Sequence, residues 1–86
     1  MSDMDNVKAR LHHLADQTEI IIAATASCLD NVDLIGMECG TTVEGSNNRY
    51  ACAAAFNFQS VSFWGRDGLG RLSAAATTAR DAANRL

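Results

Sequence analysis

An apolar repeat runs unbroken through the first third of the chain. Met4, Val7, Leu11, Leu14, Thr18, Ile21, Thr25, Cys28, Val32 and Ile35 follow at alternating spacings of three and four. No glycine precedes Gly36, and the chain has no proline. That spacing sets all ten residues along one side of a single helix. The expected helix begins near residue 3 and runs at least to Leu29, with Met37 as its outer bound. Ser2 is the expected N-cap, and Asp3 and Asp5 sit in the first turn, where the helix dipole favours acids.

With Met4 at heptad position a, the e positions are Lys8, Ala15, Ile22 and Leu29. The stripe is therefore broader than the a/d seam that a two-stranded coiled coil needs, and it predicts a bundle helix with two or more neighbours. Residues 4–32 alone span about 43 Å at 1.5 Å per residue. A compact chain of 86 residues has a diameter of roughly 30 Å. The overhang predicts a homodimer, with Leu11, Leu14, Ile21 and Ile22 at the dimer interface.

The opposite face carries Asp5, His12, Asp16, Glu19, Asp30 and Asp33. Residues 1–44 hold eight acids against Lys8 and Arg10, a charge of −6, whereas residues 45–86 carry +3. Such halves either lie against each other or are solvated separately. Asp16, Glu19, Asp30 and Asp33 are candidate contacts for a basic partner protein. The acidic half excludes nucleic acid as a natural partner, and the scattered arginines do not form a basic stripe.

After ECGTTVEGSNN at 38–48, where Gly40 is the expected helix terminator, the middle segment Arg49–Trp64 is ambiguous. Its alanines favour a helix, ending at Gly65. The alternation in FNFQSVSF would instead suit an α+β fold with a central hairpin at about 33–63. A third helix is expected after Asp67, on Leu69, Leu72, Ala76, Ala79, Ala83 and Leu86, its first turn weakened by Gly68 and Gly70. The fold class expected is all-α: a three-helix, single-domain chain with one long N-terminal helix, assembled as a dimeric bundle.

Chemistry-bearing patterns are sparse. The glycines of GRDGLG lack the spacing and lysine of a phosphate loop. Cys28, Cys39 and Cys52 match no ligand or disulfide framework, and with the acidic MSDMDN start they point to a reducing cytoplasmic setting. The longest apolar run, Ile20–Ala26, is short of a bilayer span, so no membrane is expected as a partner. His12, Asp16 and Glu19 share a helical face and are the candidate site for a divalent metal, although a metal site wants a third or fourth firm ligand. No cofactor is expected, and no nucleophile–base set can be assembled. All five aromatics fall within Tyr50–Trp64, and Phe56, Phe63 and Trp64 are the candidate anchors for a protein partner. The expected function is a small non-enzymatic protein-binding module (adaptor, regulator or inhibitor), with a ligand- or metal-responsive regulator as the alternative.

Overall fold

The computed structural model describes residues 3–86, so the expected cap Ser2 lies outside the described residues. The chain is an antiparallel hairpin of two long helices, α1 (Asp3–Thr42) and α2 (Arg49–Arg85). It measures 66 × 16 × 14 Å, with a radius of gyration of 19.3 Å. A compact chain of this length would have a radius near 12 Å.

The all-helical class holds, but the helices are two, not three. α1 runs past Gly40 because nothing there demands a left-handed residue. The turn comes later, at Gly45, whose φ of 77° lies where a β-carbon is disfavoured. The Val43 amide donates to the Cys39 carbonyl and the Ser46 amide to the Val43 carbonyl, closing the end of α1. Asn48 then opens α2: its Oδ1 accepts from the amides of Tyr50 at 2.9 Å and Ala51 at 3.3 Å. This satisfies donors that the first helical turn leaves orphaned.

α2 passes through Gly65, Gly68 and Gly70 without interruption. Each glycine costs about 1 kcal/mol relative to alanine, which is too little to stop a helix with strong helix formers on both sides and no proline. Asp67 is therefore not a cap; it lies mid-helix and accepts from Arg71 Nε at 3.0 Å, one turn on. The central hairpin is likewise replaced by helix: 33–42 belong to α1 and 49–63 to α2, and no strand occurs among the described residues.

The seam between the helices is narrow. On α1 it follows Leu11, Ala15, Thr18, Ile22, Thr25, Leu29, Val32 and Gly36, which are the a and e positions of the repeat, all half-buried or buried. On α2 it follows Phe58, Ser62, Gly65, Leu69, Ala76, Ala79 and Ala83. Among the described residues only Ala15, Leu29, Ala76 and Ala83 are fully buried. Towards the chain termini the helices meet through alanines; towards the loop, Leu29 lies on Gly65 and Phe58 on Gly36. Small residues are what allow helix backbones this close.

The same economy leaves many large apolar side chains in solvent, from Met4, Val7, Leu14 and Ile21 on α1 to Phe56, Phe63 and Trp64 on α2. α1 also contains an 18-residue stretch with a mean hydropathy of 1.5, enough by length and composition alone to cross a membrane. The core helices of soluble proteins pass the same test. The stretch escapes a search for uninterrupted apolar runs because polar residues are spaced through it.

Candidate interaction surface

The seam divides the hairpin into two faces of different chemistry. On one, arginines of α2 reach acids of α1. Arg80 grips Glu19 with both prongs of its guanidinium, Nε to Oε1 at 3.0 Å and Nη2 to Oε2 at 2.9 Å, and its Nη2 also donates to Asp16. Fourteen residues, about four turns, nearer the loop, Arg66 Nη2 donates to Asp30 Oδ1 at 3.1 Å and to Asp33 Oδ2, while Ser62 Oγ donates to the other Asp33 oxygen. Ser62 is on the seam itself and each of the others follows a seam position by one, which places them along one edge of the helix contact.

The electrostatic consequences follow from those contacts. The hydrogen bond from Arg80 holds the Asp16 carboxyl below the ordinary aspartate value of 3.8, against an opposing cost of burial. The Asp33 carboxyl is also held down, first by the Ser62 hydroxyl and then by Arg66. Reciprocally, Glu19 and Asp16 raise the Arg80 guanidinium, and Asp33 with Asp30 raises Arg66. The opposite charges of the two halves of the chain thus meet within one molecule. Asp16, Glu19, Asp30 and Asp33 clamp the hairpin together, so a basic partner would compete with Arg66 and Arg80 for them.

The candidate metal ligands are affected by the same contacts. Asp16 and Glu19 are turned onto Arg80, and His12 is half-buried beside them. Among the described residues no group of three His, Cys, Asp or Glu converges on a point that would hold a metal ion. All three cysteines are free thiols, Cys28 and Cys52 exposed and Cys39 half-buried.

The other face is apolar. It carries the d positions of the repeat, Val7, Leu14, Ile21, Cys28 and Ile35, all exposed. Beside them on α2 runs a row at the matching offset, Ala54, Val61, Gly68, Ala75 and Ala82, mostly small. The face is therefore a ridge of larger side chains along α1 and a valley along α2. The four residues expected at a dimer interface divide between surfaces. Leu11 and Ile22 fill the hairpin seam, and Leu14 and Ile21 stand on the exposed ridge. Sequence reasoning missed the valley because alanine and glycine give no apolar signal of their own. The offset of Ala54, Val61, Gly68, Ala75 and Ala82, spaced by seven, was the available clue.

The aromatics of α2 occupy a third position. Phe56 and Phe63, one heptad apart, are each 66% exposed. Trp64 packs edge-on against Phe63, with ring centroids 5.3 Å apart and planes at 82°. Phe58 alone turns inward, onto Gly36. Near the loop, Val32, Gly36, Met37, Phe58 and Phe63 line a shallow open cleft on the charged side.

The chain matches no protein family, no curated protein and no solved structure.

Proposed function

We propose that this chain is a small non-enzymatic protein-binding module that acts through its helical surfaces and works as a dimeric helical bundle. One observation carries the reading: a 66 Å hairpin leaves large apolar side chains exposed along its whole length and fully buries almost none. Contiguous apolar surface of this extent marks interaction sites on soluble proteins. Phe56 and Phe63 on α2 fit the role of anchors for a foreign protein, because rigid aromatic side chains bring large contact area at low entropic cost.

The test is quantitative affinity capture from a lysate with the immobilised chain, compared with Phe56→Ala/Phe63→Ala. Both positions are exposed, so the double variant should keep its helicity and thermal transition. The expected result is a protein enriched on the wild-type chain and lost from the variant. Enrichment of nothing above a blank matrix, or the same proteins on both, would overturn the reading. Binding of the purified chain to lipid vesicles, with no protein captured, would move the apolar surface to a membrane role.

A further inference from the structure

We propose that the ridge-and-valley face of the hairpin is the contact between two copies of this chain, with α1 of each copy lying in the α2 valley of the other. The proposal rests on the protein-binding reading and assigns its dimer a specific face, partner and register.

The argument begins with the height of each residue along the hairpin. Leu29 touches Gly65 and Gly36 touches Phe58. Because the helices are antiparallel, a step up α1 is a step down α2. Leu14, Ile21 and Cys28 are therefore level, to within about two residues or 3 Å, with Ala82, Ala75 and Gly68 on the same face. A two-fold axis parallel to the helices turns a second copy face to face while preserving these heights. It exchanges α1 for α2. Leu14 of one copy then meets Ala82 of the other, Ile21 meets Ala75, and Cys28 meets Gly68. At these three levels a larger side chain faces a small one, while nearer the loop Ile35 meets Val61, both exposed in the single chain; every contact occurs twice, as an isologous interface requires. A two-fold axis across the helices would instead set ridge against ridge and leave valley against valley.

The extent of the face agrees. The molecule is 66 Å long and 16 Å wide, an outline of about 1,000 Å², so a contact over most of its length would reach the roughly 800 Å² per partner of a standard stable interface. The ion pairs of Arg66 and Arg80 lie on the opposite face, so association buries none of them. Phe56 and Phe63 remain outside the contact, free for a different protein.

The experiment is light scattering or sedimentation equilibrium at micromolar concentration. The wild-type chain should give twice the chain mass. Ile21→Lys on the ridge should give the chain mass while retaining its helicity, and Ile20→Lys, one residue along and more exposed, should remain dimeric. A swap tests the register. Ile21→Ala and Ala75→Ile should each raise the dimer dissociation constant at least tenfold, and the two together should recover most of that loss. A monomeric wild type, a dimeric Ile21→Lys, or a swap in which the losses simply add would overturn the proposal. The outcome is separable from the capture experiment. A dimer of this form that retains no other protein leaves the inference standing without the adaptor role; a monomer that captures a protein through Phe56 and Phe63 does the reverse.

Discussion

Gly65 of α2 is pressed against Leu29 of α1: a β-carbon at position 65 would lie 2.5 Å from Leu29 Cδ2 and 3.4 Å from its Cγ. Leu29 is itself buried and has little room to yield. The glycine expected to end a helix thus lies inside α2, with a side chain of the facing helix packed against it.

Two glycine replacements should therefore have opposite signs. Alanine is the better helix former by about 1 kcal/mol, and at Gly70, where nothing lies within 4 Å, Gly70→Ala should realise roughly 0.5–1 kcal/mol of that. At position 65 the same gain is set against overpacking, which costs about 1–3 kcal/mol. Gly65→Ala should lower stability in urea unfolding followed by circular dichroism. Stabilisation by both variants would show that the helices do not meet at Leu29.

The cap of α2 gives a second expectation. Asn48 has extended φ and ψ of −70° and 123°, and its side chain accepts from two amides of the first turn. Asn48→Ala should cost about 1 kcal/mol, seen as a lower urea midpoint with an unchanged slope. Asn48→Asp keeps the acceptor and adds a charge that the helix N-terminus favours, so it should match or exceed the wild type. Equal loss in both would mean that the side chain caps nothing.

The repeat of threes and fours made α1 legible from Met4 to Ile35, because 3.6-residue periodicity over so many turns has no other structural reading. It could not say which edge of a broad stripe faces the partner helix. The a positions Leu11 and Val32 do, the d positions Leu14 and Ile21 do not, and Ala15, Ile22 and Leu29 at e complete the seam. That choice depends on where α2 lies, which is information from the other half of the chain. The break expected at Gly65 failed for the same reason: local propensity counts against glycine, and only the contact with Leu29 explains its presence. The acidic ridge was visible, but its partners Arg66 and Arg80 are separated from it by more than thirty and sixty residues respectively.

Those pairs make the fold sensitive to acid. The carboxyls of Asp16 and Asp33 are held below the ordinary value of 3.8 in the folded chain. A depressed folded pKa means that the unfolded chain binds the proton more readily, so the stabilisation is present above the ordinary aspartate range and is lost as pH falls through the folded values. Stability should thus be level near neutrality and decline below about pH 4. Arg66→Met/Arg80→Met should show a shallower decline. Parallel pH profiles for the two proteins would assign the acid sensitivity to other groups.

The terminal half of the hairpin should be the least tolerant of added volume. Ala83 is fully buried at 0% exposure and Ala15 at 1%, so the helices there are spaced for methyl groups. Ala83→Leu must push α2 away from α1 or force a strained rotamer, a cost of about 1–3 kcal/mol. Ala74→Leu makes the same chemical change on an exposed surface of α2 and should stay within about 0.5 kcal/mol of the wild type. The comparison removes helix propensity from the result, since both variants exchange one strong helix former for another. A loss confined to Ala83→Leu would locate close contact at the open end of the hairpin. Equal tolerance at both sites would mean that the helices splay beyond the Arg80 clamp, and the short fork of Glu19 and Asp16 would then mark the last point at which they are held together.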